Sequence, residues 1–169
     1  MIAYVALLRA VNVAGTGKLP MAELRAIAEG LSFANVRTYI ASGNLLFESD
    51  LSEGEVKAAL ETRLFAYAGK PVPVLVRTAA EMATIYAADP FPDAHGSRHM
   101  VYFLDAAPPH DTQQNARDQA GERIALGIRE IYVEYGDGIR FTKLKLAATK
   151  IATARNMNTV AKLVTMMAG

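Results

Sequence analysis

The chain carries one pattern twice, and that repetition constrains its fold more than any other feature. MVYFLDA at 100–106 reads like YVALLRA at 4–10, and ARNMNTVAKLV at 154–164 reads like VRTAAEMATIY at 76–86. Both members of the second pair end a strand-like run on an arginine and follow it with a helix-capping residue type, Thr78 in one and Asn156 in the other. A recurring alternation of period-two and period-3.6 apolar patterns is the mark of a duplicated supersecondary unit.

In the first copy a strand is expected over 4–11, then a helix from Pro20 with Met21, Leu24, Ile27, Ala28 and Leu31 on one stripe. Two strands follow, joined through Ser42-Gly43-Asn44. Ser52 and Glu55 have capping-box spacing ahead of a helix burying Val56, Leu60, Leu64 and Tyr67. A strand over 72–77 completes β-α-β-β-α-β, and Thr78 with Glu81 opens one more helix carrying Met82, Ile85 and Tyr86. After ADPFPDAHGS at 88–97 the second copy predicts a polar helix over 111–120, strands over 123–126 and 130–135, and a helix from about Thr142. An extended piece over 152–155 then meets a helix capped by Asn156, with Met157, Val160, Leu163, Val164 and Met167 inward. The expected fold is therefore α+β: two ferredoxin-like (βαββαβ) halves, residues 1–92 and 97–169, each with an added C-terminal helix, from internal duplication. Identity between the halves is low, so convergence of two amphipathic runs is the competing origin.

With 169 residues, 51% of them apolar, the chain can fill a core without staples. It has no cysteine, which excludes disulfides, thiolate nucleophiles, iron–sulfur clusters and cysteine–zinc sites, and nothing demands an oxidising compartment. Arg9 interrupts the N-terminal apolar run too early for a signal-peptide core or a membrane span, so a cytoplasmic location and no membrane partner are expected. Net charge is +1, but its distribution is uneven: from residue 138 onward there are six basic residues and no Asp or Glu, against 12 basic and 17 acidic before it. Such asymmetry marks a face for an anionic partner, or simply the solvation of surface helices.

VNVAGTGKLPM at 11–21 invites a phosphate-loop reading and fails it. Asn12 stands where a Walker loop needs its first glycine, Leu19 replaces the terminal hydroxyl, and Pro20 takes the place of the third glycine of a dinucleotide fingerprint. What remains is a helix start at Pro20 beside a glycine-flanked Lys18, either a loop wall for an anion or a solvent-facing connection.

LLRAVNVAGTGKLPMAELR (7–25), VRTYIASGNLLFES (36–49), DPF (89–91), DGIRFTKL (137–144) and ATARNMNTVAKL (152–163) together resemble the successive blocks of the bacterial family catalogued as domain of unknown function 1697. The chain departs from the family pattern at Thr142, where a serine is expected, and at Met157, where a tryptophan is expected. The resemblance implies a fold in agreement with two ferredoxin-like halves. It implies little about activity, because the family is uncharacterised.

The polar residues of these blocks are the candidate ligand-binding set: Arg9, Asn12, Lys18, Asn44, Arg140, Thr142, Lys143, Arg155 and Asn156. Guanidinium forks suit phosphate or carboxylate, lysine supplies a point charge, and asparagine reads an amide or base edge. Each has a structural alternative: an internal ion pair for Arg155, a helix cap for Asn156, turn chemistry for Asn44. His95 and His99 have zinc-helix spacing, but Gly96 lies between them, so no metal and no cofactor are expected. No nucleophile elbow or zinc-protease signature is present. The strand LLFES lacks the basic-Gly-aromatic start of an RNA-recognition motif, and Tyr39, Tyr102, Tyr132 and Tyr135 serve packing or stacking.

The leading reading is a binding module for an anionic ligand, with nucleic acid first and a phosphorylated small molecule second. Arg9, Lys18, Arg140, Lys143 and Arg155 would supply charge, and Asn12, Asn44 and Asn156 would position it. The alternatives are a small enzyme on a phosphorylated or carboxylated metabolite, with Lys143 and Arg155 stabilising charge around Thr142, and an interaction or dimerisation scaffold. Oligomeric state is not set by these features.

Overall fold

The computed structural model describes residues 1–9, 18–136 and 138–168. By its contacts the chain divides into two units: Met1–Met82 with Thr165–Gly169, and Ala83–Val164.

The first unit contains β1 (Ile2–Leu8), α1 (Met21–Gly30), β2 (Ala34–Tyr39), β3 (Asn44–Ser49), α2 (Glu53–Ala68) and β4 (Val74–Thr78), and α3 (Ala79–Ala87) begins in it. Its strands pair antiparallel in the order β2-β3-β1-β4, the arrangement that a split βαββαβ unit produces. One sheet face supplies Tyr4, Ala6, Leu8, Leu45, Phe47, Val74 and Val76 to a core closed by Leu24 and Ala28 of α1 and by Val56, Leu60 and Leu64 of α2. The opposite face carries Val5, Leu7, Leu46, Leu75 and Arg77, which are buried too.

Local signals account for these elements. The Ser52 hydroxyl accepts from the Glu55 amide at 3.3 Å while the Glu55 carboxylate accepts from the Ser52 amide at 3.0 Å, so α2 starts on the expected capping box. Thr78 and Glu81 repeat the exchange at 2.9 and 3.1 Å, opening α3. Gly69, at φ 73°, ends α2 in the left-handed conformation that glycine adopts without penalty. Pro20 is the extended residue before α1 rather than its first helical residue, and its carbonyl accepts the amides of Glu23 and Leu24. Tyr67, expected inside, is instead 46% exposed.

The second unit contains the end of α3, β5 (His99–Phe103), β6 (Arg123–Leu126), β7 (Glu130–Glu134), β8 (Thr153–Asn156) and most of α4 (Met157–Met167). Its sheet order, β6-β7-β5-β8, repeats that of the first unit strand for strand. The correspondence between the halves extends to side chains. Arg77 stands opposite Val5 and Arg155 opposite Val101, and each guanidinium donates from Nη1 to the carbonyl of the preceding residue, at 3.0 and 2.8 Å. Each is followed by the cap of the next helix, Thr78 or Asn156, whose Oδ1 accepts the Thr159 amide at 2.9 Å.

The connections of this second half differ from expectation. Residues 111–120 form turns, not a helix: DTQQNARDQA offers only alanines for a buried stripe, so one α-turn from Asp111 to Asn115 is not propagated. Arg117 instead exchanges both backbone hydrogen bonds with Lys145, at 3.0 and 2.9 Å. The helix expected from Thr142 is replaced by 3-10 turns at Ile139–Phe141 and Ala147–Ile151. Leu144 and Leu146 are two residues apart and both pack on the core of Leu104, Ile131, Val133 and Tyr135, an extended spacing that a helix would break. Among the described residues, no helix is long and apolar enough to cross a membrane.

Candidate functional site

The acid-free stretch after β7 builds a surface within the second unit. Gly138, at φ 102°, turns the chain, and the 3-10 turn that follows presents Ile139, Arg140 and Phe141 outward. Phe141 is 64% exposed, and the Arg140 guanidinium carbon lies 4.8 Å from its ring centroid. Lys143, Lys145 and Lys150 are exposed along the same segment. Among the described residues no carboxylate comes within ion-pair distance of Arg140, Lys143 or Lys145.

Beside this surface lies a cavity of about 640 Å³ whose lining includes Gln119, Glu122, Tyr135, Phe141, Thr142 and Lys143. Glu122 is 7% exposed and is held from two sides: the Thr142 hydroxyl donates to Oε2, and the Ala120 amide donates to Oε1 at 2.5 Å. These two hydrogen bonds, the Thr142 one foremost, hold its carboxyl below the usual carboxylate range against the opposing effect of burial. The group is therefore ionised at neutral pH. Thr142 is fixed in turn, because its Oγ1 accepts the Leu144 amide at 3.1 Å. Tyr135 shares a 2.6 Å hydrogen bond with Tyr102, and burial keeps both phenols neutral by raising their pKa values.

A second polar cluster surrounds His99, which is 1% exposed. Its Nδ1 faces Asp89 Oδ1 at 3.4 Å, and the same oxygen accepts the Phe91 amide at 2.8 Å. Its Nε2 is buried with no hydrogen-bond partner among the described residues. Burial lowers the imidazole pKa, and the field of Asp89 only partly offsets it. Arg123 covers the Phe91 ring at 4.6 Å and pairs with Glu134 and Asp93 at 3.0 and 3.3 Å. His95 is occupied locally, its Nδ1 2.6 Å from the Ser97 hydroxyl. Among the described residues no group of three or more His, Asp or Glu gathers as a metal site.

Of the sequence candidates, Thr142 and Lys143 line the cavity, and Arg140 lies against the ring of Phe141, which lines it too. Arg155 and Asn156 do internal work on β8: Arg155 is 7% exposed, with a pKa pushed down to about 10 by burial, and Asn156 is the α4 cap. In the first unit Asn44 is fully buried, its amide donating to Tyr39 O at 2.9 Å and Ser42 Oγ at 3.1 Å, which is turn chemistry. Arg9 is half-buried with its amide bonded to Pro73 O at 3.0 Å, Lys18 is exposed, and Asn12 lies outside the described residues. Glu122 and Phe141 were not among the candidates. Phe141 next to Arg140 was readable as an aromatic in a basic run, but nothing local marks Glu122, whose side-chain partner Thr142 is 20 residues away.

Two ferredoxin-like sheets of identical order, one with its helical connections reduced to turns, define the structural class. The chain belongs to the family described as "Protein of unknown function (DUF1697)", whose model matches residues 1–132. That match ends before the two C-terminal blocks of the resemblance. Its fold is also that of the conserved bacterial protein SP0830 from Streptococcus pneumoniae, at TM-score 0.82 and 22% identity over 99% of each chain. No curated protein matches the sequence.

Proposed function

We propose that the protein is a cytoplasmic binding module for nucleic acid, and that the segment 138–151 is its contact surface. The observation that carries this reading is the exposed Arg140–Phe141 stack flanked by Lys143, Lys145 and Lys150 in a stretch without a single acidic residue. An exposed aromatic face accepts any unstacked base, the adjacent guanidinium adds a cation–π and phosphate contact, and the lysines track a backbone. This combination favours single strands over duplex, whose bases are not free to stack on a side chain. Arg155 is left out of the contact set because its charge is buried in β8.

The test is fluorescence polarisation of labelled single- and double-stranded DNA and RNA at low and near-physiological salt. Single strands should bind best, with affinity falling steeply as salt rises. Phe141→Ala should cost on the order of 1–3 kcal/mol, the worth of one stacked base. Absence of binding at low salt, or binding indifferent to both Phe141→Ala and Lys143→Ala, would overturn the proposal.

A second reading, an enzyme on a phosphorylated metabolite, draws support from the Thr142 hydroxyl donating to Glu122. Its weakness is chemical: a carboxylate whose pKa is lowered is a poor general base for an alcohol. Turnover lost in Thr142→Val would favour it.

A further inference from the structure

We propose that the cavity lined by Gln119, Glu122, Tyr135, Phe141, Thr142 and Lys143 is a reading pocket for one unstacked guanine base. This inference rests on the nucleic-acid reading above and adds a specificity to it. The group that would read the base is the Glu122 carboxylate. Each of its oxygens already accepts one donor, Ala120 N on Oε1 and Thr142 Oγ1 on Oε2. A carboxylate oxygen has room for two, so each oxygen of this one carboxylate keeps one acceptor position. The two fixed donors also prevent the group from rotating, so the remaining pair is preorganised rather than assembled on binding.

Two adjacent acceptors call for two adjacent donors. Among the common bases only guanine offers them on its Watson–Crick edge, from N1–H and the N2 amino group. Adenine and cytosine place an amino group beside a ring acceptor, and uracil and thymine place one N–H between two carbonyls. Each of those edges would turn at least one lone pair toward an ionised carboxylate. Phe141, exposed and lining the same cavity, supplies the stacking face, and Lys143 on the rim supplies a positive charge for the attached phosphate. A cavity of about 640 Å³ accommodates a purine nucleotide.

The decisive measurement uses a thymidine nonamer with one variable central base, titrated by fluorescence polarisation at one fixed salt concentration. The guanine oligonucleotide should bind at least about tenfold more tightly than those with adenine, cytosine or thymine, the usual return of one good bidentate pair. Inosine, which keeps N1–H and lacks the N2 amine, should lose most of that preference on the unmodified protein. Glu122→Gln should abolish the preference and leave the salt-dependent binding of the all-thymidine strand in place. Four equal affinities, an inosine strand equal to guanine, or a preference unchanged in Glu122→Gln would overturn the inference while leaving strand binding standing. Calorimetry with GMP, AMP and IMP separates the opposite case. GMP binding that Glu122→Gln removes, without any strand binding, would uphold the pocket and end the polymer reading; no strand and no GMP binding would end both.

Discussion

His99 makes stability depend on pH, and the sign follows from its surroundings. The ring is 1% exposed, Nε2 has no partner among the described residues, and the groups facing it are Asp89 and Asp93 from the preceding loop, Glu134 of β7 and Arg123 of β6. Burial lowers its pKa in the folded state below the ordinary 6.5, more than Asp89 raises it. The unfolded chain therefore binds a proton at a higher pH than the folded one. Stability is fully present above the unfolded value and is lost as pH falls from about 6.5 toward the folded value. Between pH 7.5 and 5.5 a single such histidine can remove at most about 1.4 kcal/mol, the limit reached when the folded protein binds no proton over that interval. Urea unfolding at the two pH values measures the loss. His99→Gln, which keeps a polar group beside Asp89 but cannot titrate, isolates it. The wild type should lose up to about 1.4 kcal/mol more than His99→Gln on acidification. Equal losses would refute the argument, and a larger loss in His99→Gln would mean that Asp89 dominates the site.

Two further perturbations test the local reasoning. Ser52→Ala removes half of the α2 capping box and should lower stability by about 1 kcal/mol in denaturant unfolding, with Glu55→Ala costing less because the hydroxyl still caps. Gly96→Ala would place a Cβ 2.0 Å from Asn158 Oδ1, the end of an exposed side chain that can turn away, so its effect on the melting temperature should be small and should vanish in the double variant with Asn158→Ala.

Much of this protein was legible in its residues because the relevant interactions are local. Both capping boxes span three residues, the Asn156 cap also reaches three ahead, and the apolar stripe of α2 is a matter of spacing alone. The strands of the second half were readable for the same reason, and with the repeated arginine they led to the expectation of two like sheets, which have the same strand order. Charge, too, is additive along a chain, so an acid-free run from 138 onward needs no fold to be noticed.

What tertiary structure decided are the matters set by partners far apart in sequence. Residues 111–120 have fair helix propensity but no stripe to bury, and the run from Thr142 buries Leu144 and Leu146, whose spacing suits an extended chain. The Arg117–Lys145 pairing and the docking of Leu144 and Leu146 therefore prevailed over it. Arg155 was expected on a strand and was counted among the charges offered to a ligand, but it is buried, since burial depends on what packs over a position and not on its own chemistry. Glu122 became an oriented acceptor only when folding brought Thr142 to it across 20 residues. Local backbone preferences are written residue by residue, whereas burial and the meeting of distant groups are properties of the packed chain.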